Sequence, residues 1–397
     1  MSTNDAKQIT KPDVKQMATT TLIIGAGPAG LAIAGRLAQK GLPFTILEAS
    51  DHIGFSWRNH YDRLHLHTVK EYSALPHVPY PASYPTYVSR LDFVEYLEQY
   101  AERFSIKPLF NQKVVSVRRG TSPDGSWHVQ TETHTFTADR VIVATGYNRS
   151  PNIPDLPGQR NFRGIIWHSH EYRNGAAFRN EQVLVVGMGN TGAELALDLL
   201  EHDAHPSISV RSPINIIRRD MFGRPAQNTA ILLSKLPNWL CDLIAGFTQK
   251  LTVGDMSAYG LGKPRHPPTY DNRRGKTPVI DIGTIDQIKA GRIRVVPGIE
   301  RINAKTVTFT DGQELPFDAI ILATGYRPGL ATFLDKSITN LVLNERGYPK
   351  SLWFNDSALN GLYFLGFTTP RSGVLFHLNV DSERIAEHIT QNNSLPV

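Results

Sequence analysis

The chain has 397 residues, of which 41% are hydrophobic and 20% are charged, as in a globular protein of two or three domains. The single cysteine, Cys241, excludes an internal disulfide, dithiol redox chemistry and a four-thiolate zinc site. The net charge of +6 comes from scattered basic residues and not from a basic stripe, which argues against a nucleic-acid-binding protein.

The first 18 residues are polar, and we expect a disordered tail over residues 1–18. They contain neither the apolar core of a secretory signal nor the arginines of a transit peptide. No apolar run in the chain reaches the length of about 20 residues that a membrane span needs. The sequence therefore predicts a cytoplasmic protein without a membrane span.

A short apolar run over residues 20–24 leads into a glycine-rich turn. The turn consists of Gly25, Ala26, Gly27, Pro28, Ala29 and Gly30. A helical pattern follows to Lys40, and a second predicted strand ends at Glu48. Glycines at this spacing between a strand and a helix let the backbone approach a pyrophosphate at the helix N-terminus. Because a carboxylate accepts hydrogen bonds from a ribose diol and repels a 2′-phosphate, Glu48 indicates FAD or NAD.

The same unit recurs after the apolar run 183–186. Its turn consists of Gly187, Met188, Gly189, Asn190, Thr191 and Gly192. Here the next predicted strand, 208–210, ends at Arg211, which Ser212 follows. A guanidinium pairs well with a phosphate dianion, so this unit favours NADPH, the alternative being an ordinary surface arginine. The two units together predict FAD and NADPH as cofactors.

A second repeat, residues 141–147 and 320–326, is interleaved with the first and consists of apolar strands that end at a glycine. This order predicts an α/β fold with two nested Rossmann-like dinucleotide-binding domains. We expect the FAD-binding domain over residues 19–163 and 319–397. The NADPH-binding domain is expected over 164–318, with a helical insert at about 221–268.

The insert has apolar residues at helical spacing, interrupted by Pro237. They are Leu232, Leu236, Leu240, Leu243, Phe247 and Leu251. The pattern predicts a helical pair that packs on the core, the alternative being a helix at a membrane surface. Cys241 lies among these residues and is expected to be inert packing.

The cysteine content limits which molecule can accept electrons from the predicted reduced flavin. The lack of paired cysteines excludes a disulfide reductase and leaves oxygen or a small organic oxidant. No H-E-x-x-H motif and no carboxylate triad is present, so we predict no metal site.

Residues 162–172 fit the F-x-G-x-x-x-H-x-x-x-Y fingerprint of class B flavin-containing monooxygenases, with Phe162, Gly164, His168 and Tyr172 at the defining positions. Segments 61–67, 84–87 and 275–284 resemble the YUCCA-type branch of that family. The resemblance extends from about Thr20 to Ile389.

The resemblance implies a monooxygenase in which NADPH reduces FAD and a flavin 4a-hydroperoxide oxygenates a small organic substrate. The plant branch converts indole-3-pyruvate to indole-3-acetate, so an aromatic 2-oxo acid is the leading substrate hypothesis. N- or S-oxygenation, an NADPH oxidase or redox-sensing flavoprotein, and a silent binding protein are the alternatives. The implied partners are the substrate and O2, with no nucleic acid, and a homodimer is left open because relatives are often dimers.

By the same resemblance, His67 is the expected catalytic residue, three positions before Lys70-Glu71, where many relatives have a flavin-adjacent Asn. Its imidazole would hydrogen-bond or move a proton, and the alternative is that it only supports the flavin ring. His168 is expected to link the two domains and the pyridine nucleotide. The other residues assigned to cofactor binding are Ala49, Trp57, Leu66, Val115, Thr145, Gly146, Gly366, Leu375 and Tyr172.

The link from residue 368 to 379 is a few residues longer than in plant relatives and carries bulky side chains. In flavoproteins of this kind the link lies against the pyrimidine end of the flavin. We therefore expect it to reshape the substrate pocket.

Overall fold

The computed structural model describes residues 15–120, 125–233, 236–273, 275–368 and 370–393. The strands are β1 Lys15–Ile24, β2 Thr45–Leu47, β3 Val114–Arg119, β4 Trp127–Thr131, β5 His134–Val143, β6 Ser150–Pro151, β7 Ile165–His168, β8 Gln182–Val186, β9 His205–Ser209, β10 Ile216–Arg218, β11 Asp220–Met221, β12 Arg224–Pro225, β13 Val279–Asp281, β14 Arg294–Val296, β15 Ile299–Ile302, β16 Thr306–Phe309, β17 Glu314–Pro316, β18 Ala319–Leu322, β19 Tyr326–Arg327 and β20 Leu362–Phe364. The helices are α1 Pro28–Gln39, α2 Phe55–Arg58, α3 Arg90–Arg103, α4 Asn190–Glu201, α5 Ala226–Leu233, α6 Asn238–Thr252, α7 Pro268–Arg273, α8 Thr284–Lys289, α9 Lys336–Val342 and α10 Val374–Asn393.

The first sheet has the order β2-β1-β5-β4-β3, and β20 pairs with β5. The pairs β1–β2, β1–β5 and β5–β20 are parallel. The pairs β3–β4 and β4–β5 are antiparallel. Side chains alternate across β1, so Ile23 joins one core cluster while Leu22 and Ile24 join the cluster on the other face. Burial on both faces explains why the end of this strand is wholly apolar.

The second sheet is parallel, with the order β14-β9-β8-β18-β7. Strand β18 lies between β7 and β8, and its four residues are buried. The expected domain boundary at residue 319 is therefore wrong, because the chain leaves this sheet only after Leu322. An all-apolar strand is most stable in the centre of a covered parallel sheet.

The N-terminal strand starts earlier than expected. Lys15 to Ala18 pair with His134 to Thr137 of β5, so the expectation of a disordered tail is wrong for residues 15–18. Residues 1–14 lie outside the described residues. Backbone pairing along β5 does not need apolar side chains, which is why this polar segment gave no strand signal.

The two connections between the domains run side by side. Strand β6 pairs antiparallel with β19, with Ser150 opposite Arg327 and Pro151 opposite Tyr326. The second sheet is thus inserted into a chain whose two ends build the first sheet. The expected fold class, α/β with two nested Rossmann-like domains, is confirmed.

The helical insert consists of α5, α6 and α7, but its apolar stripe does not pack on the core. The exposed members, at 39 to 69%, are Leu232, Leu236, Leu243, Phe247 and Leu251. Instead, Cys241, Ile244 and Ala245 face inward and line a cavity. The prediction of core packing is wrong because helical spacing identifies an apolar face without saying which face the tertiary structure covers.

None of the helices in the described ranges combines the length and the apolar character that crossing a bilayer requires.

Candidate functional site

A cavity of about 750 Å³ lies where the two domains and the insert meet. From the sequence-predicted site it is lined by Gly25, Gly27, Pro28, Ala29, Glu48, Ala49, Trp57, Leu66, His67, Thr145, Gly146, Asn190, Thr191, Gly366 and Leu375. The expected FAD segments and part of the second glycine turn therefore open into one space.

The first glycine turn is built for close backbone approach. A Cβ on Gly30 would lie 1.8 Å from the carbonyl oxygen of Gly25, so only glycine allows α1 to start so near β1. Gly27 is the N-cap of α1, and a Cβ there would meet nothing within 4 Å. The backbone at Gly27 and the free amides of the helix N-terminus thus face open space, as a pyrophosphate requires.

Glu48 follows β2 and ties this turn to the next strand. Its Oε2 accepts from the backbone N–H of Ala26 at 2.8 Å, and its Oε1 accepts from the N–H of Ser50 at 2.9 Å. Oε1 also accepts from the Ser50 hydroxyl at 3.0 Å, whereas Oε2 keeps a further lone pair. The side chain lines the cavity, where it fits a ribose diol.

Thr145 and Gly146 follow β5 at the same edge of the sheet. The Thr145 hydroxyl is buried and has no hydrogen-bond partner within the described ranges. A buried polar group without a partner is costly, so a polar ligand atom is its natural partner. Gly146, at φ +71°, adopts the left-handed conformation that glycine favours.

Val115 is one expected cofactor residue whose side chain lies elsewhere. It is 40% exposed on β3, whereas its neighbours Lys113 and Val114 line the cavity. Val115 itself does not line the cavity, and its assignment to cofactor binding stays a prediction.

The second glycine turn repeats the geometry of the first. A Cβ on Gly192 would lie 2.0 Å from the carbonyl oxygen of Gly187, and one on Gly189 would meet nothing within 4 Å. Met188 is buried in the core of the second domain. Only Asn190 and Thr191 of this turn line the large cavity, in the part of the chain that is described.

Arg211 and Ser212 lie just beyond β9 and are exposed, outside the cavity. Within the described residues the Arg211 guanidinium forms no hydrogen bond or ion pair, and its stem packs beside Gly298. A guanidinium without a protein partner fits the 2′-phosphate of NADPH.

The fingerprint residues His168 and Tyr172 are both buried and hydrogen-bonded within the protein. His168 is buried, its Nε2 donates to the carbonyl of Gly325 at 3.1 Å, and its Nδ1 accepts from the N–H of His170. Burial lowers the pKa of His168, so the ring is neutral at pH 7. It thereby joins β7 to the connection after β18, and its expected role in linking the domains and the pyridine nucleotide stays a prediction.

Tyr172 is fully buried in the core of the second domain, where its hydroxyl donates to Oδ2 of Asp198 at 2.5 Å. It does not line the cavity, and its assignment to cofactor binding stays a prediction. An aromatic residue with a polar tip can be kept in a sequence pattern for packing alone.

His67 lies at the junction of the domains. Its Nε2 donates to Oε1 of Glu194 at 2.7 Å, and the Tyr61 hydroxyl donates to the same oxygen at 3.1 Å. Tyr61 and His67 belong to the first domain and Glu194 to α4 of the second. Burial, and next the charge of Glu194, raise the pKa of Tyr61 well above its usual value, so its hydroxyl stays protonated.

A family model described as flavin-binding monooxygenase-like matches residues 18–397, nearly the whole chain. The chain belongs to this family. Among curated relatives, a probable indole-3-pyruvate monooxygenase of Arabidopsis thaliana, YUCCA9, is 40% identical over 377 residues, which cover 93% of this chain and 88% of the relative. The indole-3-pyruvate monooxygenase YUCCA1 of Oryza sativa subsp. japonica is 41% identical over 354 residues, which cover 87% and 86%.

Solved structures of class B flavin monooxygenases share the fold. A flavin-containing monooxygenase from Stenotrophomonas maltophilia has a TM-score of 0.69 at 21% identity, covering 94% of this chain and 99% of that one. A polycyclic ketone monooxygenase from Thermothelomyces thermophila has a TM-score of 0.76 at 18% identity, covering 96% and 77%.

This flavin-binding monooxygenase-like protein is an FAD- and NADPH-dependent monooxygenase. Its residues fit both cofactors: two glycine turns open at helix N-termini, Glu48 follows the first unit, and Arg211 follows the second. The unpartnered Thr145 hydroxyl adds a polar atom to the FAD side of the cavity.

Sequence reasoning missed the polar residues that face His67 from other elements. Glu194 lies in the apolar run of α4, and Asp198 lies one turn later on the same face. Two carboxylates four positions apart in a buried helix are a signal that both have partners. Their partners, however, come from distant parts of the chain.

His60 is a second missed group in the cavity wall. Burial, and next the nearby His170, lower the pKa of His60 to about 4, so it is neutral at pH 7. Within the described residues no group of three or more His, Cys, Asp or Glu side chains is placed to hold a metal ion.

Proposed function

We propose that this monooxygenase converts an aromatic 2-oxo acid to the acid one carbon shorter, with indole-3-pyruvate and indole-3-acetate as the leading pair. The observation that carries the proposal is the near full-length identity of about 40% with proteins named indole-3-pyruvate monooxygenases. The matches with these two relatives cover 93% and 87% of this chain.

The cavity has the chemistry that such a substrate needs. Apolar and aromatic residues, including Trp57, Leu66 and Leu375, line it beside the FAD segments. Arg219 and Arg371 line the same space, where Arg219 is ion-paired with Asp220 and Arg371 donates to Asn238. An apolar wall suits an indole ring, and positive charge suits the carboxylate of a 2-oxo acid.

Different residues are assigned to the two cofactors. The turn at residues 25–30, Glu48, Thr145 and Gly146 would hold FAD. The turn at residues 187–192, Arg211 and Ser212 would hold NADPH. The flavin, when bound, accepts electrons from NADPH and activates O2, which no protein side chain does alone. The apolar wall excludes water, which protects a reactive oxygenating species.

His67 is the proposed catalytic residue. Its ring lines the cavity, and its buried Nδ1 has no partner among the described residues. An imidazole can hold or transfer a proton in general acid–base catalysis. His67 would do so at Nδ1, since Nε2 is committed to Glu194.

The test is a product assay with purified enzyme, NADPH and O2. Indole-3-pyruvate and phenylpyruvate are compared with trimethylamine and a thioether, and acid product, CO2, NADPH and peroxide are measured. Formation of indole-3-acetate in proportion to NADPH supports the proposal. Oxygenated amine or sulfide without acid product would replace it with N- or S-oxygenation, and peroxide alone would replace it with an NADPH oxidase.

The role of His67 is tested with His67→Ala, using His205→Ala on the exposed face of β9 as the control. We expect His67→Ala to release more peroxide per NADPH while FAD content is unchanged. Equal coupling in both variants would contradict the catalytic role. A cytoplasmic location and a homodimer stay predictions, and cell fractionation and size-exclusion chromatography test them.

A further inference from the structure

Glu194 is a buried carboxylate whose partners come from the other domain. It lies in the first turns of α4, directly after the second glycine turn, and is 2% exposed. Both side-chain donors to it, His67 and Tyr61, belong to the segment after α2 in the first domain. Removing such a carboxylate from water is costly, so its position depends on these two donors.

The bond to Glu194 decides which nitrogen of His67 carries hydrogen. An ionised carboxylate only accepts hydrogen bonds, so the hydrogen in the 2.7 Å contact belongs to Nε2. In the neutral ring Nδ1 is then the acceptor. This Nδ1 is buried and has no partner among the described residues, on a side chain that lines the large cavity.

We propose that Glu194 is a positioning residue that fixes the orientation and tautomer of His67, so that Nδ1 is the atom through which His67 exchanges hydrogen bonds in the cavity. The inference rests on the proposed catalytic role of His67, although the tautomer itself does not. It assigns a function to the second domain beyond holding the nucleotide, because the helix that starts at the nucleotide turn also sets the imidazole of the first domain.

The direct test is the tautomer of His67 in the wild-type enzyme. Histidine labelled with ¹⁵N is incorporated, and the His67 ring signals are assigned from their loss in His67→Asn. We expect a protonated Nε2 and an unprotonated Nδ1 at pH 8, both without and with bound NADP+. A protonated Nδ1 would overturn the proposal without any further variant.

Three variants separate positioning from folding. Glu194→Ala should give a mixture of tautomers and at least a tenfold loss of product per NADPH, with the affinity for NADP+ changed less than twofold. Glu194→Gln keeps the shape and an accepting oxygen, so it should preserve part of the wild-type tautomer and coupling. Asp198→Asn alters the other buried carboxylate of α4, which binds Tyr172, and should change neither readout.

The outcomes distinguish this inference from the proposed function. An unchanged tautomer in Glu194→Ala, or the same losses in Asp198→Asn, would overturn the role of Glu194. If the tautomer changes as expected while His67→Ala keeps full coupling, Glu194 positions His67 but the catalytic role of His67 fails.

Discussion

The side chain of Gln227 in α5 accepts a hydrogen bond from the backbone N–H of Val69 at 2.7 Å. Its Nε2 donates in turn to the carbonyl of Ser372 at 2.6 Å. All three groups are buried, so one amide connects the helical insert, the segment that carries His67 and the residues just before α10. The insert is thus anchored over the cavity by a polar contact.

Gln227→Ala should therefore loosen the insert. Each buried backbone group left without a partner costs about 1–3 kcal/mol, so we expect a lower free energy of unfolding and faster hydrogen exchange at the Val69 amide. Urea unfolding and exchange measured by mass spectrometry provide the check. The control is Asn238→Ala, which removes an exposed contact to Arg371 at 3.2 Å. Equal effects of the two variants would refute the anchoring role.

Gly27→Ala and Gly30→Ala should fail in different ways. At Gly30 the new methyl would strike the Gly25 carbonyl, so we expect loss of stability as well as of FAD. At Gly27 the methyl enters open space at an ordinary φ of −84°, so apo stability should change by about 0.5 kcal/mol or less while the Kd for FAD rises at least tenfold.

Flavin absorbance titration and thermal unfolding of the apoprotein measure these two effects. Gly246→Ala on α6, where a Cβ also meets nothing within 4 Å, is the matched control. A Gly27→Ala protein that binds FAD as tightly as this control would contradict the placement of the pyrophosphate.

Arg211→Glu should shift the preference between the two reduced nicotinamide nucleotides. Losing a charge-assisted hydrogen bond to a phosphate is worth about 1.5–3 kcal/mol, so the KM for NADPH should rise about 10- to 100-fold. The KM for NADH should change much less, since NADH lacks the 2′-phosphate. Steady-state kinetics with both reductants measure this, and exposed Arg292→Glu controls for the charge change. Parallel changes for both reductants would refute the assignment.

The stability of the enzyme should fall in acid partly because of His60. The pKa of His60 is about 4 in the folded protein and near 6.5 when unfolded. Between these values the unfolded chain binds a proton that the folded chain does not, so stability decreases as pH falls from about 6.5 towards 4. His60 alone should account for about 2 kcal/mol between pH 7.5 and 5.

His60→Gln should remove that share of the pH dependence. Urea unfolding of the FAD-bound protein at pH 7.5 and pH 5 gives the difference for each protein. Burial of His168 and partial burial of His377 also lower the pKa of these histidines and contribute in the same direction, so the comparison with the wild type isolates His60. An identical pH dependence in the two proteins would show that His60 is not buried as a neutral ring.

The apolar stripe of α6 should tolerate polar substitution. Leu243 is 64% exposed and Phe247 is 69% exposed, so Leu243→Gln and Phe247→Gln should each change stability by about 0.5 kcal/mol or less. Leu195→Ala in the buried part of α4 should cost about 2–5 kcal/mol. Thermal and urea unfolding measure both. A large loss in the α6 variants would restore the prediction of core packing.

The sequence by itself determined the local units and their ligands. Three features of the sequence depend only on neighbours within about 30 positions: the glycine spacing between strand and helix, the residue after the second strand, and the apolar runs. These features predicted both nucleotide turns, Glu48, Arg211 and the nested fold. The resemblance to the family added His67 and His168.

Only the tertiary structure decided which side chains meet across the domains. Glu194 reaches His67 over 127 positions, and Gln227 reaches Val69 over 158, so no local pattern predicts either contact. Long-range packing likewise decided three other features. They are the exposed face of α6, the outward side chain of Val115 and the central position of β18. A helix or strand presents a face by its own periodicity, but only long-range packing chooses the partner of that face.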